Sequence, residues 1–545
     1  MTSTPSLAPR LWNREVSSYP DNSRRYLYLG IVVLATISLY YQLYVVFAVA
    51  TPIITHYDMS FTYFIYVSVV GNLIGAFASL LAGLGDRWGR ANMVIYGLLI
   101  TGLLVTFALP NAPNKEMFLL LSAVVGFVEG IILVATPALV RDFSPQLGRA
   151  TAMGYWTMGP VIGSLVVTVV TSNTFHGSTT WQDEIVYSGI SGLVVFVIAL
   201  VALRELSPRL RDQIMVSLRD RAVIEARAKG LDPEAALRGS WRQMLRLDVV
   251  GSAFAISVFL LLYFAAVGSA VIYFTTVFGY SVSRANAVLN WYWAANAVSL
   301  VVVGLLSDRL RVRKPFMLVG ALASIVVLVL FALRATEPST GYYHFAFLVV
   351  GIGITGGITY APWMAGFTET VEKHNPAATA TGLAIWGWII RIVVSVSAAC
   401  LPLVVTSATP LVNHGAQVQE ALKEAGPAAA LAQAHADVLG ELAKSPADPA
   451  LQQQAAVALG GPDKLALVVA AAPQLAILQK YGPEVAEANE KNPSQWQHWF
   501  WICLGGEVLF LPFIFVMAGR WSPRKAREDT EAHEAAMAEQ LRGLA

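Results

Sequence analysis

Three ionisable side chains interrupt long apolar runs in this 545-residue sequence: Glu129, Arg391 and Glu507. A charge at the centre of a hydrocarbon layer costs roughly 2.5–3.5 kcal/mol by insertion. Such a residue is kept for function or offset by a partner. A carboxylate desolvated at Glu129 could exchange protons near neutral pH, so Glu129 is the candidate for proton coupling; its alternative is a paired or protonated packing residue. One and two turns from Arg391 stand Ala384, Gly387, Trp388, Ser395 and Ala398, small or aromatic residues rather than a lipid-facing stripe. Arg391 therefore points inward, to recognise an anionic group or to pair with Glu507.

Uncharged polar residues at helical spacing could line a path for a solute. They are Gln42 with Ser38 and the adjacent Tyr41; Asn290 and Trp293 with Asn286; and Thr359 and Trp363 with Gly351, Thr355 and the adjacent Tyr360. For each, hydrogen bonding between helices or ordinary packing is the alternative.

Elements that could hold these residues follow from composition. The chain is 56% hydrophobic and 13% charged, with a net charge of +2 and two cysteines. Soluble domains carry about 25% charged residues, so the composition excludes an ordinary soluble protein, a nucleic-acid binder and a disulfide scaffold. At about 1.5 Å per residue, about 20 apolar residues cross a membrane. Runs of that order lie near Tyr26–Ile54, Phe61–Leu84, Met93–Pro110, Met117–Val140, Thr151–Val170 and Val186–Leu203. A second block has them near Val249–Phe278, Ala285–Leu306, Phe316–Leu333, Tyr343–Phe367, Thr379–Thr406 and Trp499–Ala518. The fold expected is an all-α polytopic membrane protein of about twelve transmembrane helices in two six-helix bundles.

Lys and Arg gather in the N-terminal segment, in alternate loops and in the tail, which puts both termini in the cytoplasm. The division is residues 1–203 for the first bundle, 204–248 for a cytoplasmic linker, 249–518 for the second bundle and 519–545 for a cytoplasmic tail. An Ala-rich external insert, 407–498, interrupts the second bundle. It reads as short helices broken at Gly426-Pro427, Ser445-Pro446, Gly461-Pro462 and Gly482-Pro483. Pro208 to Lys229 reads as a surface helix of the linker. Cys400 and Cys503 read as free thiols.

The loop after the second run is Ala82-Gly83-Leu84-Gly85-Asp86-Arg87-Trp88-Gly89-Arg90, and that after the eighth is Gly304-Leu305-Leu306-Ser307-Asp308-Arg309-Leu310-Arg311-Val312-Arg313. The same motif at the same place in both blocks marks an internal duplication. Asp86, Arg87, Gly89 and Arg90, with Asp308, Arg309 and Arg313, suit a charged latch between bundles at the cytoplasmic face.

These loops resemble the G-x-L-a-D-R-x-G-R-[RK] hallmark of the major facilitator superfamily, and the resemblance extends to the 6+6 symmetry and the long central loop. Ala82, Ala91 and Arg311 depart from the pattern. Gly159-Pro160-Val161-Ile162-Gly163-Ser164 is similar to the G-P-x-x-G-G motif of drug antiporters, and Gly126-Phe127-Val128-Glu129-Gly130 to the family's R-x-x-Q-G, with Gly126 replacing Arg. The resemblance implies secondary active transport by alternating access, with the first, fourth, seventh and tenth spans lining the path and the twelfth outside it. Gln42, Glu129, Thr359 and Trp363 gain weight accordingly, and Glu507 reads as a packing residue. The expectation is a proton-coupled symporter of a small organic solute, with efflux of an amphipathic drug as the alternative. It would be a plasma-membrane monomer in contact with lipid, with no cofactor, no metal and no enzymatic activity. No G-x(4)-G-K-[ST] loop is present to use a nucleotide.

Overall fold

The computed structural model describes residues 12–79, 88–144, 154–210, 241–375 and 379–542. Eleven helices among them are long and apolar enough to cross a membrane, and a twelfth span is a pair of helices bent by 41°. The spans of the first half are Asn22–Ala48, Phe61–Ser79, Arg90–Asn111, Lys115–Phe143, Gly154–Thr174 and Trp181–Ala202. Those of the second half are Leu247–Gly268 with its bend, Val282–Leu310, Lys314–Arg334, Tyr342–His374, Thr379–Val404 and the C-terminal part of the helix Ala472–Val516.

The seventh span differs most from the continuous helix expected. Its helices end at Phe259 and Gly268, and a third piece runs from Ala270 to Phe278. The breaks fall at Leu260 and at Ser269, which leaves the helical φ/ψ region.

The twelfth span also departs from expectation. It does not begin near Trp499 but belongs to one 45-residue helix, about 68 Å long at 1.5 Å per residue. Pro483, read as a break, lies inside that helix, whereas Pro427 and Pro462 do start new helices, in whose first turn the missing amide is not needed. Within the insert, Ala408–Ala425 packs along the long helix, and short helices follow from Pro427 to Ala470.

The apolar core shows how the halves join. One buried cluster runs through both halves toward the insert end, with Val45, Ile53, Phe64, Phe274, Trp293, Leu401 and Trp499 among its members. At the loop-motif end each half has its own cluster, one around Ile95, Leu139 and Phe143 and the other around Ile256, Phe367 and Phe510. Hydrogen bonds reinforce the shared end. Asn286 Nδ2 donates to the Ala48 carbonyl (3.0 Å), Asn290 Nδ2 to Ser172 Oγ (2.9 Å) and Ser283 Oγ to the Ser172 carbonyl (2.7 Å). The first insert helix takes part as well. Thr55 Oγ1 donates to the Val412 carbonyl (3.2 Å), and the Phe61 amide donates to Thr409 Oγ1 (3.1 Å).

Cys400 and Cys503 are both free, the first exposed and the second buried. The linker helix expected from Pro208 to Lys229 falls almost wholly outside the described residues.

Candidate functional site

A cavity of about 390 Å³ lies between the halves, where the shared core gives way to the two separate ones. Its wall comes from the first, second, fourth and fifth spans on one side and from the seventh, eighth, tenth and eleventh on the other, with Ser324, Trp499 and Glu507 from the ninth and twelfth.

Close backbone contact fixes the fourth span, and with it Glu129. Gly71 and Gly75 of the second span face Gly126 and Gly130 of the fourth, so that a Cβ on Gly126 would stand 2.8 Å from the Gly71 carbonyl oxygen. Two glycines per helix at a spacing of four let the backbones touch. This explains why no arginine stands at position 126: there is no room for a side chain. One residue before Gly130, Glu129 lines the cavity at 2% exposure, and neither of its carboxylate oxygens has a hydrogen-bond partner among the described residues.

Arg391 enters the same cavity from the eleventh span. Tyr40 of the first span lines the cavity as well and is within electrostatic range of both Glu129 and Arg391. Tyr44, Tyr263, Tyr292 and Tyr360 also line the wall. Tyr40 and Tyr44 have ring centroids 5.3 Å apart. The remainder is largely apolar, with Phe47, Phe64, Phe259, Phe264 and Trp386, and the broken seventh span gives the cavity nearly every residue from Phe259 to Ser269.

Glu507 reaches the cavity too, which corrects the expectation that its span lies outside. It is 2% exposed; Oε1 accepts a hydrogen bond from Ser324 Oγ at 2.9 Å, and Oε2 has no partner among the described residues. The hydrogen bond to Glu507 thus comes from a neutral hydroxyl on the ninth span.

Of the predicted solute contacts, Arg391 and Tyr360 line the cavity and the others lie behind its wall or away from it. Tyr41 and Gln42 are buried, and Gln42 Nε2 approaches the Ser188 carbonyl of the sixth span at 3.5 Å. Asn290 bonds Ser172 across the halves. Thr359 bonds the Thr355 carbonyl and packs where the ninth span has Gly320. Trp293 and Trp363 form a second layer. Trp293 packs edge-on to Tyr263 at 5.2 Å, and Trp363 lies 5.4 Å from Trp386 and 6.0 Å from Tyr360.

The reason is rotational, because one residue turns a helix by about 100°. The cavity face of the first span carries Tyr40, Leu43, Tyr44 and Phe47, and that of the tenth Ile352, Gly356 and Tyr360. The small polar residues on the adjacent face satisfy one another or the backbone. Sequence reading missed Tyr40, Tyr44, Tyr263, Tyr292 and Asn296; the signal available for the first two was a pair of tyrosines at i, i+4 in an apolar run. The antiporter-like segment has a double role: Pro160 and Val161 line the cavity, while a Cβ on Gly163 would stand 2.5 Å from the Tyr40 Cβ.

At the loop-motif end, Asp86 and Arg87 lie outside the described residues. Gly89 has φ +88, a value open to glycine at little cost. Three residues beyond its own Asp, the second copy has Arg311, which takes φ +57 without being glycine. Arg90 Nη1 meets both oxygens of Asp142 at 2.8 Å, at the end of the fourth span. Arg313 does the same work in the second half, meeting Asp308 at 2.6 Å and Glu369, near the end of the tenth span, at 3.0 Å. Burial opposes the Arg313 charge, but Glu369 and Asp308 outweigh it and hold its pKa above the ordinary arginine value. These ion pairs run within each half, bracing third against fourth span and ninth against tenth. Arg309 ends the eighth span beside them.

The family model described as Major Facilitator Superfamily matches residues 32–411. Among solved structures, the chain is similar to a bacterial homologue of the human lysosomal transporter Spinster in its inward-facing, unoccupied conformation. That match has a TM-score of 0.59 and 16% identity over 91% of this chain and 98% of the other. The occupied conformation gives 0.57 and 15% over 91% and 97%. The xylose transporter XylE from E. coli, partially occluded and inward open, gives 0.53 and 14% over 69% and 92%.

Proposed function

The chain belongs to the major facilitator superfamily and is a multi-pass membrane transporter rather than an enzyme, and from that premise we propose that it is a proton-coupled symporter of a small organic solute bearing an anionic group. The observation that carries this reading is the coexistence, in one cavity between the halves, of Arg391, Glu129 with its unpartnered carboxylate, and Tyr40 within electrostatic range of both. Arg391 attracts the anionic group, while the tyrosines accept an apolar or aromatic body and offer hydroxyls to polar substituents.

Glu129 is the proton carrier. Protonated, it can be enclosed between the two halves without a charge; deprotonated, it needs water or a cation. The empty cavity holds one separate charge of each sign; with a proton on Glu129 and an anionic group on Arg391 the first is neutral and the second is paired, which favours the occupied protein for the conformational change.

Both termini face the cytoplasm in this reading, and residues 1–203 and 249–518 rock as the two units about the cavity. The shared core and the hydrogen bonds at the insert end then correspond to a closed external side. The loop-motif residues (Asp86, Arg87, Gly89 and Arg90; Asp308, Arg309 and Arg313) control closure at the cytoplasmic side, and the plasma membrane is the location. The protein acts as a monomer.

A second reading, efflux of an amphipathic compound in exchange for protons, draws on the apolar and aromatic wall and on the contribution of Pro160 and Val161 to it. Uptake of a solute panel into proteoliposomes, with and without an imposed pH gradient, separates the two. Symport concentrates an organic anion when the outside is acid; antiport expels apolar compounds under the same gradient. In either case Glu129→Gln abolishes gradient-driven flux and spares exchange. Unchanged proton coupling in that variant refutes the assignment.

A further inference from the structure

We propose that Glu507 carries a second proton, so that one carboxylate on each half of the cavity shares the coupling; this rests on the proton-coupled reading above. Glu129 belongs to the first half and Glu507 to the second, and both line the one cavity at 2% exposure. A carboxylate that served packing alone would be held on both oxygens. Glu507 is held on one, and Oε2 has no partner among the described residues.

Its single bond is of a kind that tolerates either charge state. Ser324 Oγ donates to the carboxylate, and a serine hydroxyl can turn to accept from the protonated acid. Ser324 lines the cavity beside it, so the pair sits at the wall. A guanidinium in that place would have fixed the negative form.

The groups that face Glu507 are compatible with exchange. Tyr292 of the eighth span and Cys503, one turn earlier on its own helix, lie within electrostatic range. The ninth span supplies Ser324, the seventh lines the same cavity with Tyr263, the eleventh with Arg391 and the fourth with Glu129.

Motion at this site is built into the neighbouring seventh span. A Cβ on Gly506 would stand 2.4 Å from the Val258 carbonyl oxygen, so the twelfth span presses on the seventh two residues before its break at Leu260. A rearrangement of the broken span alters what covers the residue next to Gly506. The chemistry is one O–H bond, formed when the cavity faces one side and broken when it faces the other.

Linkage gives a test that needs no solute. The logarithm of the ratio of inward-open to outward-open populations changes with pH by the number of protons bound differentially. Spin labels at Tyr26→Cys and Leu305→Cys, exposed at the loop-motif ends of the first and eighth spans, report that ratio in nanodiscs. Cys400 is replaced by serine; the buried Cys503 is left in place. The slope expected is about two for the otherwise unchanged protein and for Glu507→Asp, about one for Glu507→Gln or Glu129→Gln, and flat for both together. Glu507→Gln keeps an oxygen for Ser324, so loss of packing does not explain a changed slope. A starting slope that Glu507→Gln leaves unaltered overturns the proposal for Glu507 alone. A protein that is flat before any glutamate is changed overturns differential protonation at Glu507, whereas proton coupling itself is overturned only if an imposed pH gradient drives no flux in proteoliposomes.

Discussion

Adding one methyl group at Gly130 tests the contact on which the position of Glu129 depends. A Cβ there would lie 2.3 Å from the Gly75 carbonyl oxygen, 2.8 Å from the Gly75 Cα and 2.9 Å from its carbonyl carbon. Ordinary contacts begin at about 3.5 Å, so the shortfall to the oxygen is about 1 Å. Its partners are backbone atoms of a helix and cannot rotate aside as a side chain would. The second and fourth spans must therefore separate or slide by about 1 Å, and a gap of that size forfeits a quarter to a half of each dispersion contact along the seam. Overpacking costs about 1–3 kcal/mol, and a clash with backbone places Gly130→Ala at the upper end. The same geometry ranks the neighbours. Gly126→Ala and Gly75→Ala, at 2.8 and 2.9 Å from a carbonyl oxygen, follow Gly130→Ala, and Gly71→Ala, whose nearest atom would be 3.9 Å away, is close to neutral. The assay is the fraction of purified protein that stays monodisperse after heating in one detergent, with proton-driven transport measured in parallel. Transport should fall with stability for Gly130→Ala, because Glu129 moves with the helix. If Gly71→Ala proves as damaging as Gly130→Ala, or Gly130→Ala is harmless, the close contact does not govern this helix pair.

Further expectations concern the loop-motif end and the insert. Arg311→Gly relieves a left-handed backbone at a non-glycine residue and stabilises the protein by about 1 kcal/mol, visible in the same heating assay; destabilisation would mean that the Arg311 side chain contributes more than the strain costs. Asp142→Ala removes a partner of the half-buried Arg90 and destabilises by about 3 kcal/mol, while Asp142→Glu recovers part of the loss; equal damage from both variants would count against an ion-pair origin. Thr409→Ala deprives the Phe61 amide of its acceptor between the halves. That loss, about 0.5–1.5 kcal/mol, should raise the population open at the insert end about two- to tenfold, read as spin-label distances across that end, and an unmoved distribution would show that the insert helix rides on one half without restraining the other.

Much of this protein could be read in its sequence because membranes impose simple rules. A span needs about 20 apolar residues, so the spans and the duplication are visible as runs, and the cost of charge in hydrocarbon singled out Glu129, Arg391 and Glu507. Structure places all three at one cavity. The special backbone at Gly89 was foreshadowed by its motif, and its partner Arg311, noted only as a departure, adopts the same left-handed sense of φ.

Which face of each helix meets the cavity was decided by tertiary structure alone. A polar stripe marks a side that avoids lipid, but a helix can avoid lipid by packing on another helix as well as by lining a cavity. Gln42, Asn290 and Thr359 bond to neighbours or to their own turn, whereas Tyr40, Tyr44 and Tyr360, a residue or two away, face the open space. At about 100° per residue, that choice depends on the register of one helix against the next, and register is set by long-range contacts such as Gly130 on Gly75 and Gly163 on Tyr40. The sequence by itself determined about how many spans there are and which charges they carry inward; packing decided where helices break and which side chains meet, because solvation by lipid constrains a helix as a whole and only its neighbours constrain its rotation.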